Sequence, residues 1–267
     1  MRWILTGIVL VAAGAAAIPA AAEERDYCPA RPGIGTPACT IAPGHVSVET
    51  ALSDWTRDEN SDHRSDTILI GDTLVRLGVT DAIELQAGFT PFGHVRTRDK
   101  LSGTVERANR VGDALLGFKA NLKNPDGSGL SAAVQPFVAL PVGSSPVGAG
   151  DWGAGLLVPI TYDLSDAINL EATSEIDAAV NQDGNGRHLA FSETAGLTLA
   201  LNKNVTATAE LQALRDDNAY GATTQFLAGL SLACMVGKNM QIDAGANAGL
   251  NRNSPAMELY LGVSRRF

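Results

Sequence analysis

Ionisable side chains recur at alternate positions within successive segments of about ten residues, and that spacing decides what chemistry they can do. Reading every second residue collects Glu49, Asp72, Arg76, Glu84, Asp113, Lys119, Glu171, Glu175, Asp177, Glu210, Asp243, Glu258 and Arg266 on polar strand faces. Ten of these are acidic and three basic. On the inner wall of a closed sheet they would favour cations and neutral polar solutes and repel anions, because low-dielectric walls focus the field. The bland alternative is internal neutralisation, with Asp72 pairing to Arg76 and Asp113 to Lys119 along the same strand faces. Catalysis has one candidate pair. His188 and Ser192 stand four apart on one strand, so they share a face, but they do not abut, and nucleophile and base need hydrogen-bond reach. Gly148-Ala149-Gly150-Asp151-Trp152-Gly153 matches a dinucleotide pattern without the strand-turn-helix around it. Asn181-Gln182-Asp183-Gly184-Asn185-Gly186 is rich in oxygen ligands yet lacks the closing Glu of a calcium loop. No enzyme, cofactor or metal is expected.

The elements that must carry these residues are strands. From Gly44 onward an alternating segment ends in a short polar turn, and the next ends in a longer polar connection. In the segment from residue 240, Met240, Ile242, Ala244, Ala246, Ala248 and Leu250 share one face, against Gln241, Asp243, Gly245, Asn247 and Gly249 on the other. The short turns fall at 78–81, 124–129, 164–167, 202–204 and 237–239, each built from residues that tolerate turn dihedrals. The longer connections are expected at 54–66, 94–109, 142–149, 182–187, 216–219 and 252–255. They separate twelve strands, at 44–53, 67–77, 82–92, 110–123, 130–141, 151–163, 168–180, 187–201, 205–215, 220–236, 240–251 and 256–267. Strict alternation of short and long connections is what an outer-membrane barrel requires, and an even count returns both ends to the periplasmic rim. Aromatics make up only 5% of the chain, and Ala, Val and Leu dominate the apolar faces. That composition suits a lipid-facing wall better than a tightly packed soluble core.

The start of the chain reads as an export signal. Arg2 precedes the apolar run Ile4–Ala17, and Ala20-Ala21-Ala22 supplies a small-residue cleavage pattern, so residues 1–22 are expected to be removed. The run is too short for a membrane helix of roughly 20 residues. Cleavage takes the formal charge from −9 to −10. An acidic chain of this kind excludes nucleic acid as a partner. Residues 23–43 are expected as an N-terminal periplasmic segment, with the barrel from 44 to 267. Cys28 and Cys39 bracket a Pro/Gly-rich stretch, and the oxidising periplasm would let them close a small loop. A metal site is the rival, but histidine pairs are lacking nearby. Cys234 falls on an apolar strand face, as a small hydrophobe would.

The last strand, Met257-Glu258-Leu259-Tyr260-Leu261-Gly262-Val263-Ser264-Arg265-Arg266-Phe267, alternates back from a terminal aromatic. It looks like the signature by which the outer-membrane assembly machinery recognises its substrates, with Phe267 as the assembly signal. Arg265 departs from the pattern at a rim position where a long cation can snorkel. The stretches Ile70–Gly78, Glu84–Gly88, Val111–Lys119 and Phe137–Gly143 resemble the family of predicted outer-membrane transporters named for the meta-pathway of phenol degradation. The resemblance spans essentially the whole mature chain and implies a transmembrane barrel of Gram-negative bacteria. Its name implies uptake of aromatic compounds.

These readings converge on an all-β, closed antiparallel barrel of about twelve strands in the outer membrane. It would act as a passive channel or uptake porin for small solutes, aromatic or hydrophobic compounds among them. The expected partners are the bilayer, the assembly machinery and the solute. The alternatives are a non-conducting structural or binding barrel and an outer-membrane lipid hydrolase.

Overall fold

Alternating apolar and polar residues bounded by Asn, Asp and Gly turns can satisfy every backbone group only if the strands pair all the way round. The computed structural model of the protein, which describes residues 25–267, shows that closure. The strands are β1 (Val46–Glu59), β2 (His63–Ile70), β3 (Asp72–Gly78), β4 (Ile83–Phe89), β5 (Phe92–Asp99), β6 (Val105–Arg110), β7 (Ala114–Lys123) and β8 (Leu130–Leu140). They continue as β9 (Gly153–Ser165), β10 (Ile168–Val180), β11 (Arg187–Ala200), β12 (Val205–Asp216), β13 (Thr223–Met235), β14 (Met240–Gly249) and β15 (Met257–Arg266). Three of the wall strands are interrupted. β2 and β3 are halves of one strand parted at Gly71, β4 and β5 are parted at Thr90-Pro91, and β6 and β7 at 111–113. Gly71 takes φ +75°, which an L side chain resists, and Pro91 offers no N–H to the ladder. The wall therefore has twelve antiparallel strands, closed where β15 pairs with β1. The expected signal peptide lies outside the described residues.

The ends meet on the short-turn rim. Val46 N–H donates to the Phe267 carbonyl at 3.1 Å, and Phe267 N–H donates back to Val46 at 2.8 Å. The opposite rim differs from expectation. Residues 54–66 and 94–109 are not irregular connections: β1 and β2 continue outward as a hairpin, as do β5 and β6. Asp54–Glu59 pairs with β2, β2 with β5, and β5 with β6, so a four-stranded ladder stands above the wall. The hairpin at 94–109 thus extends the sheet rather than folding into the lumen. At its base the inner face is covered, with Val95 buried and Val147 against Gly93; toward the tip both faces meet water and apolar alternation lapses.

The faces are inverted relative to a water-soluble protein. Exposed side chains include Leu211 (59%), Leu230 (62%), Leu232 (51%) and Leu85 (49%), all on the outside of the wall. The buried set is dominated by Ser, Thr, Asn, Gln and charged groups pointing inward. Such an apolar surface far exceeds what a soluble monomer exposes; it is a lipid-facing band. Trp55, Phe92, Trp152, Phe191 and Phe226 flank it toward the long hairpins, and Phe118, Tyr162 and Phe267 toward the short turns, as membrane-barrel girdles do. Cys234 is a free thiol on the outer face of β13. At Ala51/Ser53 a bulge inserts Leu52 and resets the alternation, so Asp54 beyond it faces the interior opposite Tyr260.

Candidate functional site

Residues 25–45 contain Pro29, Pro32 and Pro37 and form no strand, so their backbone groups need partners from elsewhere. The segment expected to hang in the periplasm is instead seated inside the barrel. It starts at the short-turn rim, where Arg25 pairs with Asp81 at 2.7 Å, rises to mid-height at Gly33–Gly35, and returns to the rim at Ala42 beside Gly78. Cys28 and Cys39 are joined across the neck of this loop.

The inward-facing charges hold the loop by a simple division of labour. Carboxylates accept its N–H groups: Glu49 from Ala30 (2.7 Å) and Arg31 (3.2 Å), Glu210 from Ile34 (2.8 Å) and Gly35 (2.7 Å), and Glu84 from Ile41 (2.7 Å). Cations and amides donate to its carbonyls: Arg76 to Cys28 and Cys39, Lys119 to Pro37 and Cys39, Asn121 to Ala38, Gln241 to Arg31, and Arg266 to Arg25. At the centre Arg76 bridges Glu49 (2.9 Å) and Glu84 (2.8 Å), with all three side chains fully buried. Charge-assisted hydrogen bonds of this kind are about twice as strong as neutral ones. Glycines on the inner face make the room. A Cβ on Gly262 would run into the Arg31 guanidinium, and one on Gly229 would stand 3.1 Å from the Ile34 side chain. Gly33 itself sits at φ +123° against the Glu210 carboxylate.

Arg31 stands just before the tip of the loop. It pairs with Asp243 at 3.0 Å and lies over the Tyr260 ring, 5.6 Å from its centroid. Two cavities open on either side of it. One, of ≈ 260 Å³, is bounded by Asp54, Gln212, Asn247, Glu258 and Tyr260 together with the loop tip. The other, of ≈ 390 Å³, is bounded by Asp72, Leu74, Phe89, Leu115 and Asp113 among others. Together they form a vestibule between the loop and the long hairpins.

The charges singled out in the sequence fall into two groups. Glu49, Arg76, Glu84, Lys119, Glu210, Asp243 and Arg266 anchor the loop or Arg31. Asp72, Glu175, Asp177 and Glu258 face the space above it, whereas Glu171 lies beside Glu210 at the level of the loop tip. Asp113 also accepts from Gly143 (3.0 Å) and Ala149 (2.7 Å), fixing the connection between β8 and β9. The same-strand pairs do not form: Asp72 accepts from Thr90 instead, and Arg76 and Lys119 turn to neighbouring strands and the loop. Four residues along a strand are roughly 13 Å apart, whereas cross-strand neighbours are about 5 Å apart. Arg31, Asp54, Asn121 and Gln241 were missed from the sequence. His188 and Ser192 are occupied separately. His188 lies 3.0 Å from Asp216 through Nε2 and 2.9 Å from Asn181 through Nδ1, while Ser192 donates to Glu175 at 3.3 Å.

Residues 30–267 match the model of the family described as "Putative MetA-pathway of phenol degradation", almost all of the described chain. The chain belongs to that family. Among solved structures this member of the phenol-degradation family is similar to the transport unit of the autotransporter AIDA-I from Escherichia coli. The two are 9% identical, the match covers 84% of this chain and 90% of that one, and the TM-score is 0.54. It is also similar to the translocator domain of the autotransporter NalP from Neisseria meningitidis, at 14% identity, 85% and 90% coverage and a TM-score of 0.52. At such identities the likeness is one of barrel fold. No curated sequence matches this family member.

Proposed function

We propose that the barrel is a passive channel through which small solutes, aromatic compounds among them, cross the outer membrane, and that it carries no catalytic centre. The seated N-terminal loop is its constriction. The observation that carries this reading is the vestibule: two cavities flanking Arg31 inside an unbroken wall, open toward the long hairpins. Its lining mixes carboxylates with Leu74, Leu115 and Tyr260, which gives a flat apolar solute a surface to rest on and cations a favourable field. The family description, with its reference to phenol degradation, supports an aromatic cargo. The seating of the loop favours the rival reading of a non-conducting binding barrel, and the same experiment separates the two.

Full-length protein in planar bilayers under a potassium chloride gradient is expected to give small steps with a cation-preferring reversal potential. Arg31→Ala, which removes the partition between the two cavities, is expected to enlarge the steps. Silent bilayers over many insertions of both proteins would leave the binding barrel.

A further inference from the structure

The ladder above the wall carries its charge on one side. Residues that share the face of the lipid-contacting wall follow in rows set by strand register. The lowest row includes Ile70 opposite Phe92, and the next Trp55 opposite Ile68. Two residues further out, roughly 7 Å at the rise of a strand, come Arg57, Arg96 and Arg107, and beyond them Arg64 and Arg98. Apolar, then aromatic, then cationic is the profile of a membrane–water interface. Five guanidinium groups share this face with two carboxylates, Asp66 and Glu59. Asp66 is taken by Arg57 (2.9 Å) and Arg64 (2.8 Å), and Glu59 by Lys100 (2.9 Å).

Arg96, Arg98 and Arg107 have no carboxylate partner among the described residues. Moreover, Arg96 stands directly opposite Arg107, with Asp66, already held by Arg57 and Arg64, on its other side, and Arg64 stands directly opposite Arg98. Like charges facing each other across a ladder destabilise it. An otherwise acidic chain has therefore gathered cations in two repelling pairs, at the height where lipid headgroups begin. The arrangement becomes favourable when an external anion lies between them, and guanidinium forks match phosphate in bidentate geometry.

We propose that this face binds phosphorylated lipid headgroups of the leaflet on the long-hairpin side, with Arg96, Arg98 and Arg107 as the phosphate contacts. The face continues the lipid-contacting wall, so the ligand approaches laterally, within the bilayer surface. The proposal does not depend on whether the lumen conducts.

The test uses full-length protein in non-ionic detergent, titrated with micelles containing bisphosphorylated lipid A, monophosphorylated lipid A, or inorganic phosphate at matched phosphate concentration. Bisphosphorylated lipid should bind most tightly and raise the unfolding temperature, and added salt should weaken it. Arg96→Gln/Arg98→Gln/Arg107→Gln should bind it on the order of a hundredfold more weakly, at about fivefold per cation. In lipid-free detergent the triple variant should melt no lower than the parent, because two repelling pairs are gone. Wild-type affinity in the triple variant would overturn the proposal, as would a lower melting point without lipid, which would make the arginines structural. Equal stabilisation by inorganic phosphate would assign the site to a free anion instead. Arg107→Gln alone, exposed on the edge strand β6, serves if the triple variant fails to fold; there a loss of about fivefold is expected, and none would refute the assignment.

Discussion

Replacing Arg76 with Met removes the guanidinium that joins the wall to the loop. Two fully buried ion pairs end on it, at 2.9 Å to Glu49 and 2.8 Å to Glu84, and it also donates to the Cys28 and Cys39 carbonyls at 2.8 and 3.3 Å. Stripping one partner from a buried pair costs about 3–5 kcal/mol. The two pairs do not double that figure, because a stranded carboxyl can take up a proton and neutralise. The wall ladders do not run through the loop, so most of the loss falls on the seat. At 1.4 kcal/mol per factor of ten, the released state gains roughly 10²- to 10³-fold in population. The expected result has two parts. Heat-modifiable gel mobility should show a barrel that still closes, while bilayer recordings show larger or flickering steps than the parent. Replacing Glu49 with Gln in the same protein should recover part of the seat's stability, since Glu84 keeps Lys119 nearby and fewer unpaired charges remain. An Arg76→Met protein that unfolds in urea within about 1 kcal/mol of the parent, with unchanged steps, would refute the claim that the buried cluster holds the loop.

Reducing the Cys28–Cys39 bond, or replacing both cysteines with Ser, should loosen the seat by about 2–4 kcal/mol, read as added conductance noise in reductant. Replacing Glu171, Glu175 and Asp177 together with Gln should shift the reversal potential toward zero under a salt gradient; an unchanged value would remove these side chains from the conduction path. Gly262→Val should displace Arg31 from Asp243 and join the two cavities, imitating Arg31→Ala in step size while leaving the wall closed on gels. On the outer loops, Tyr220 donates to Asp183 at 2.7 Å, and this bond, with that from Asn185, holds the Asp183 carboxyl below its ordinary value of 3.8. A depressed carboxylate stabilises above its unfolded pKa and loses that contribution as pH falls through the folded one. Amide exchange in residues 181–186 should therefore quicken only below the ordinary carboxylate range.

Strand number, pairing order and inward polarity were legible because a wall between lipid and a polar interior forces strict alternation on each segment. The eleventh segment shows it most plainly, with Ile242 outside and Asp243 inside. The height of the hairpins was not legible. Arg57, Asp66, Arg96 and Arg107 form a paired row, yet with water on both sides nothing in their types distinguishes strand from loop. The loop's seat was also hidden, because residues 25–45 have no periodicity and their partners lie up to more than two hundred positions away, as Arg31 does from Asp243. A signal did exist. The polar faces combine acids in the half nearest the short turns with glycines at 229, 245 and 262, and a small barrel whose inner side chains shrink to hydrogen needs something else to fill it. Asp54, expected in the connection 54–66, lies instead within β1 and faces inward, a direction that the extra residue Leu52 hides from a parity count.

Both ends of the seated loop lie at the same rim, and only Pro43, Gly44 and His45 separate it from the first wall strand. A stopper built this way can leave and return without threading the chain through the pore or parting any seam. Its leash is so short that the detached form stays at an effective concentration in the millimolar range or above. Resealing is then indifferent to how much protein the membrane holds, and a free peptide of the same sequence would compete only when supplied at comparable strength.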